Sequence, residues 1–252
     1  MPLSRSTPSS GNPTHSRQPT TGLSRLAFAT FFFRFRFAIT KMTISSLFAW
    51  KSTRLLKFMM AENGVEEVLS HPRFRLHIMT VRSRGVTASE QPAVLGAGLL
   101  LALALNAISR KSLGLFFERV LFSDRRDRPP FGEIKDLPAR YAPLDQANFM
   151  PVLLASGSIP LVMEAVSDIA GAPPGLYRDG GVTDYHFDLS FVETDSVIFY
   201  PHFYSFLVPG WFDKKLRRRV SGEALDNLLL VAPSQEFVES LPFGKIPDRT
   251  DF

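Results

Sequence analysis

The segment Tyr177-Arg178-Asp179-Gly180-Gly181-Val182 restricts the possible folds of this chain more than any other. It predicts a strand that ends in a turn, because two successive glycines can adopt positive φ and allow close approach to the backbone. Asp179 would then lie at the mouth of the strand, where a partly buried carboxylate can act as a general base. The alternative interpretation is that Asp179 caps its own turn, as is common before Gly-Gly.

A second segment lies a short distance upstream: Ala155-Ser156-Gly157-Ser158-Ile159-Pro160. A small-residue stretch that ends in Ile-Pro and is followed by an Asp-Gly-Gly turn resembles the second half of a patatin-like phospholipase domain. The resemblance covers residues 61–252 and is sharpest between Asn148 and Asp188. It divides the chain into a basic leader, residues 1–60, and a partial hydrolase domain, residues 61–252.

The resemblance implies an α/β fold, a three-layer α/β/α domain that is incomplete at its N-terminal side. It also implies a lipid acyl hydrolase of the phospholipase A type, which acts on lipid or phospholipid acyl esters through a Ser-Asp dyad and needs no metal or other cofactor. Asp179 corresponds to the dyad carboxylate, which takes the proton of the serine hydroxyl. Gly180, Gly181 and Arg178 would contact the substrate. Arg178 could pair with a lipid phosphate or a carboxylate, or simply be exposed beside the turn.

The serine of the dyad has no counterpart in this sequence. A Gly-x-Ser-x-Gly elbow needs small residues two positions on either side of the serine, because strand and helix crowd at the sharp turn. No serine here has glycine at both positions, and Ser158, for example, lies between Ser156 and Pro160. The glycine-rich segment that supplies oxyanion-hole amides in the family is also missing. We therefore expect this homologue to be inactive as given.

Asp184, His186 and Asp188 form a further candidate group. If residues 183–189 are extended, all three side chains point to one face, where they could hold a divalent cation. They could equally form a polar strand edge. Because neighbouring positions of one strand rarely converge on one ion, we expect no metal. His186 or His202 could complete a Ser-Asp-His triad, but that too requires a serine.

The charges are distributed unevenly along the 252 residues. Residues 1–60 hold nine Lys and Arg and no Asp or Glu, whereas the remainder holds 20 basic and 24 acidic side chains. The mildly acidic remainder carries no basic stripe, so we expect no nucleic-acid partner. The absence of cysteine excludes a disulfide framework, a thiolate metal site and a cysteine nucleophile.

The leader is predicted to be disordered, since its first part is rich in Ser, Thr, Pro and Arg. An Arg- and Ser-rich leader without acidic residues is typical of an organellar transit peptide. Residues 43–60 could instead form a basic amphipathic helix at a membrane surface. The chain would accordingly be cytoplasmic, peripheral to a membrane, or targeted to an organelle.

Hydrophobic periodicity predicts alternating strands and helices, the pattern of a layered α/β domain. The predicted helices are residues 62–69, 93–108, 113–122, one beginning at Asp145 or Asn148, and 236–241, and the predicted strands are the half-buried 74–81 and the buried 197–200 and 228–232.

The apolar run 93–108 is about 24 Å long as a helix, against the ~30 Å of a bilayer core, so it predicts a buried or interfacial helix rather than a membrane span. Downstream, residues 210–219 combine Trp211 and Phe212 with a cluster of cations. Aromatic anchors beside cations suit an anionic lipid surface, and the alternative interpretation is a solvated helix face. A non-catalytic lipid-binding protein at a membrane surface is therefore the alternative function, and a fragment without function is a further one.

Overall fold

The computed structural model of this chain describes residues 46–127, 136–186, 197–220 and 225–247. Its helices are α1 (Ser46–Met60), α2 (Gly64–Ser70), α3 (Pro92–Ile108), α4 (Phe149–Ser156) and α5 (Gln235–Ser240). Its strands are β1 (His77–Ser83), β2 (Phe117–Asp124), β3 (Ala139–Leu144), β4 (Val166–Ser167), β5 (Leu176–Asp179), β6 (Ile198–Pro201) and β7 (Leu228–Val231).

Five strands form a mixed sheet in the order β3-β2-β1-β5-β4. Strand β1 lies in its centre and runs antiparallel to both β2 and β5. Strand β3 is parallel to β2, and β4 is antiparallel to β5. Strands β6 and β7 form a separate parallel pair. Helices combined with a mixed sheet make this an α/β fold, as the alternating pattern predicts.

The five-stranded sheet has a hydrophobic core on each face. Successive residues of a strand point to opposite faces, and in β1 Ile78 belongs to one core and Val81 to the other. The first core contains Leu56 of α1 and the buried residues of α4. The second contains Leu95, Leu99 and Ala102 of α3. The sheet is therefore covered by helices on both sides.

Helix α1 lies within residues 1–60, for which the sequence predicts disorder. Leu56 is only 2% exposed and packs in the first core, so the predicted disorder does not extend to this helix. The alternative, a helix over residues 43–60, describes this segment better. Residues 1–45 of the predicted leader lie outside the described residues.

Strand β2 corrects one prediction. Residues 113–122 are not a helix: a 3₁₀ turn, Arg110–Leu115, leads into β2, which is buried along its whole length. Strand β1 is also buried almost throughout rather than on one side only. Both strands lie between neighbouring strands and beneath helices on each face, so neither shows the alternation of a half-exposed strand.

The remaining predicted elements occur within a few residues of their predicted bounds. Strands β6 and β7 are only partly buried, although both were predicted to be buried: Phe199 of β6 is 43% exposed and Leu229 of β7 is 51% exposed. Among the described residues, no helix has the length and apolar character needed to span a membrane.

Candidate functional site

Asp179 is the last residue of β5 and lies opposite Thr80 of the central strand β1. Its side chain is half-buried and caps the 3₁₀ turn Gly180–Val182, accepting a hydrogen bond at Oδ1 from the backbone N–H of Gly181 at 2.8 Å. The structure thus places the carboxylate at the end of an interior strand, as predicted. It also realises the alternative interpretation, in which the carboxylate caps its own turn.

Gly180 is required at this turn for a reason other than the predicted one. Neither Gly180 nor Gly181 has a positive φ. A Cβ at Gly180 would instead lie 2.5 Å from the carbonyl oxygen of Met79, so only glycine lets the turn pack against β1. At Gly181 the tightest contact would be to Oδ1 of Asp179 at 3.1 Å. The glycine turn therefore does allow a close approach to its backbone, as expected, but what approaches it is strand β1 and not a substrate.

Arg178 is fully buried, so the alternative of an exposed arginine beside the turn is wrong, whereas the alternative of a pair with a surface carboxylate is confirmed. Its guanidinium pairs with Glu90 and also donates to the carbonyl oxygen of Ser89 at 3.2 Å. Burial lowers the pKa of Arg178, and the charge of Glu90 opposes that shift only in part. Arg178 thus ties β5 to the segment that precedes α3, and its head group is occupied by protein partners.

The two serines nearest the turn are engaged elsewhere. The backbone N–H of Asp179 donates to the carbonyl oxygen of Ser158 at 3.0 Å, so the two residues are neighbours. The Ser158 hydroxyl, however, is fully buried and donates to the carbonyl oxygen of Leu154 at 2.9 Å. The Ser156 hydroxyl donates to the carbonyl oxygen of Leu153 at 2.8 Å. Both hydroxyls therefore cap the C-terminal turn of α4.

The predicted group of Asp184, His186 and Asp188 is divided by the structure. Asp184 is buried in an ion pair, and His186 accepts a hydrogen bond at Nδ1 from the N–H of Val208 at 2.8 Å. Asp188 lies outside the described residues. Within the described ranges, no group of three or more His, Cys, Asp or Glu side chains is arranged to hold a metal ion.

A buried network of charges lies directly behind the turn and was not predicted from the sequence. Arg119 of β2 forms a bidentate pair with Asp184, with N–O distances of 2.5 and 2.7 Å, and a second pair with Asp136. Burial would raise the pKa of Asp136, but the hydrogen bond and charge of Arg119 outweigh it and lower that pKa. In the sequence, the one signal of this network is the position of Arg119 in a mostly apolar strand, because a buried arginine needs acidic partners.

A second part of the network is centred on Asp213, which is fully buried. Its carboxylate accepts hydrogen bonds from Asn106 of α3 at 2.8 Å, from Arg110 at 3.1 Å and from Arg218 at 2.5 Å. Arg110 also donates to the carbonyl oxygen of Thr183 at 2.8 Å. The segment 210–219 is therefore anchored beneath α3 rather than being a fully solvated helix face, although Trp211 itself is 47% exposed.

No protein-family model, no curated protein and no solved structure matches this chain. The described residues bring together a half-buried carboxylate, a turn of fixed geometry and a buried ionic support.

Proposed function

We propose that this chain is a non-catalytic homologue of patatin-like lipid acyl hydrolases, with Asp179 in the position of the dyad carboxylate. The observation that supports this is the rigid placement of Asp179. Strand β5 ends at this residue, the close contact between Gly180 and Met79 fixes the turn, and the N–H of Gly181 orients the carboxylate. Asp179 is also half-buried rather than fully enclosed, and a general base that acts on another hydroxyl must not be fully enclosed.

The finer architecture belongs to the same proposal. Helices α1 and α4 lie on one face of the mixed sheet and α3 on the other. This arrangement is compatible with the three-layer α/β/α domain of the patatin-like family. In that interpretation, the buried pair between Arg119 and Asp184 holds the turn that carries Asp179 against the sheet.

The chemistry of a complete relative shows what this chain lacks. There the carboxylate takes the proton of a serine hydroxyl while the serine oxygen attacks the ester carbonyl. The alcohol leaves with that proton, and water then releases the acyl group. In this chain the hydroxyls of Ser156 and Ser158 donate to helix carbonyls and not to Asp179. An ester bound beside Asp179 would therefore lie next to a general base, but no serine hydroxyl would be placed to attack it.

The experiment is an assay of the purified full-length chain with a short-chain p-nitrophenyl ester and a fluorophosphonate probe for reactive serines. We expect no hydrolysis above the buffer rate and no labelled serine, and the Asp179→Asn variant should behave like the wild type. Hydrolysis that is abolished in Asp179→Asn would contradict the non-catalytic assignment. Labelling that disappears in Ser158→Ala would identify that serine as the unexpected nucleophile.

The ancestry is tested separately, on the genomic DNA immediately upstream of the coding sequence. We expect an in-frame segment that encodes Gly-x-Ser-x-Gly. A protein extended by that segment should hydrolyse the ester, and Asp179→Asn should lower its kcat about 10⁴-fold. An extended enzyme that hydrolyses the ester without depending on Asp179 would contradict the proposed role.

A further inference from the structure

The outward half of α3 is entirely apolar. Leu95, Leu99 and Asn106 face the protein interior, and the exposed residues of the helix lie on the opposite side. These exposed residues are Pro92, Ala93, Val94, Ala97, Leu100, Leu101, Leu103, Ala104, Ala107 and Ile108. Leu100 is 68% exposed and Ile108 82%. A contiguous apolar patch of this kind on a folded surface marks an interaction site.

The surroundings of this helix face combine further apolar groups with positive charge. Leu115, in the 3₁₀ turn after α3, is 67% exposed. Trp211 lies near the C-terminal end of α3, because the neighbouring Asp213 is bonded to Asn106. Lys111 is exposed, as is Lys215 beyond Trp211, whereas the Lys214 ammonium lies over the Tyr185 ring at 4.0 Å from its centroid. The nearby carboxylate of Asp213 is fully buried among its cationic partners and does not offset these charges at the surface.

We propose that α3 docks in the plane of an anionic lipid bilayer, with its apolar half below the headgroups and these lysines at the phosphate level. An apolar helix face bordered by Lys and an exposed Trp has the composition of an interfacial helix. The positive charge favours an anionic surface over a neutral one. This inference involves neither Asp179 nor ester hydrolysis, and it holds whether or not the proposed function is correct.

The helix lies in the plane of the membrane rather than across it. Its 17 residues extend about 25 Å, less than the ~30 Å of the hydrocarbon core. Its inner half is also fixed to the protein, since Leu95 and Leu99 pack in the second core and Asn106 bonds Asp213. Only the outward half can enter lipid, to the depth of a helix radius.

The decisive experiment uses the natural absence of cysteine to place one environment-sensitive fluorophore at a time. The full-length variants Leu101→Cys and, as the matched control on α5, Phe237→Cys would be labelled, since these side chains are 49% and 55% exposed. With vesicles of phosphatidylcholine and phosphatidylglycerol, we expect the label at 101 to be shielded from aqueous iodide and the label at 237 to stay accessible. Binding that leaves position 101 accessible to iodide would assign it to another segment and overturn the proposal.

A second measurement compares vesicle partitioning of the double variant Leu100→Gln/Leu101→Gln with that of Phe237→Gln. Because the double variant removes two exposed leucines from the lipid-facing half, its partition coefficient should fall about tenfold, whereas the control should match the wild type. Circular dichroism verifies that all three proteins are folded. Equal partitioning of the double variant would overturn the proposal, as would a dimer in solution that the double variant dissociates, which would identify a second copy as the partner.

Discussion

At the scale of single residues, Gly180 is the most sharply constrained position of the candidate site. We expect Gly180→Ala to destabilise the fold by about 1–3 kcal/mol, because its Cβ would lie 2.5 Å from the carbonyl oxygen of Met79 and the backbone would have to shift. Gly96→Ala in α3 is the matched control: nothing lies within 4 Å of its Cβ, so the substitution should stabilise the helix by about 0.5–1 kcal/mol. Urea denaturation measures the free energy of unfolding of both variants. If Gly180→Ala were as stable as Gly96→Ala, the inferred contact between position 180 and the Met79 carbonyl would be wrong.

Asp179 and Arg178 differ in how far the sequence indicates their surroundings. The turn and the position of Asp179 could be predicted locally, since an aspartate before Gly-Gly commonly caps its own turn. The contact with Met79 that requires glycine at position 180 is tertiary and could not. The burial of Arg178 could not be predicted either. Alternation correctly places neighbouring residues of β5 on opposite faces, but only the tertiary structure shows that both faces are covered. The partner of Arg178, Glu90, lies far away in the sequence, and no local pattern indicates it.

At the scale of elements, the pair between Arg119 and Asp184 joins β2 to the segment after the Asp-Gly-Gly turn. Both side chains have no solvent exposure. We expect Asp184→Asn to destabilise the fold by about 3–5 kcal/mol, since it leaves the Arg119 charge buried without its nearest carboxylate. The control is Arg125→Gln, which removes an arginine that is 65% exposed from its pair with Asp145 and should cost no more than about 1 kcal/mol.

Thermal and urea unfolding of these two variants give the comparison. If Asp184→Asn lost no more stability than Arg125→Gln, then Asp136 alone would compensate Arg119, and the bidentate pair would not hold the turn. A replacement of both partners, Arg119→Met with Asp184→Leu, should recover much of the loss, because it removes the unpaired charge.

The same strand explains the largest error of the sequence analysis. Residues 113–122 form a short, mostly apolar segment that is interrupted by Glu118 and Arg119 and shows no regular alternation. Periodicity alone cannot distinguish a buried helix from a buried strand in such a segment. In the structure, β2 lies between β1 and β3 and beneath both cores. Helix α3 was predictable because its apolar run is longer than that of any ordinary strand. The exposure of one half of α3 could not be predicted, because a helix that is apolar on every side does not indicate which side is covered by the protein.

At the scale of the whole molecule, the two sheets differ in how well they are supported. The five-stranded sheet has a core on each face, whereas β6 and β7 form a pair with Leu229 51% and Val231 43% exposed. Parallel strands normally require cover on both faces, and a two-stranded sheet alone is marginally stable. The β6–β7 pair should therefore open in fluctuations that leave the larger sheet intact.

Amide hydrogen exchange tests this difference directly. We expect the amides that join β6 to β7, including the N–H of Ile198 that donates to Asn227, to exchange about 100-fold faster than those between β1 and β2. Low concentrations of urea should accelerate exchange in both sheets with different slopes, because local opening exposes less surface than global unfolding. Equal rates and equal slopes would instead show that both sheets unfold in one step, and that side-chain packing against β6 and β7 compensates for their exposed faces.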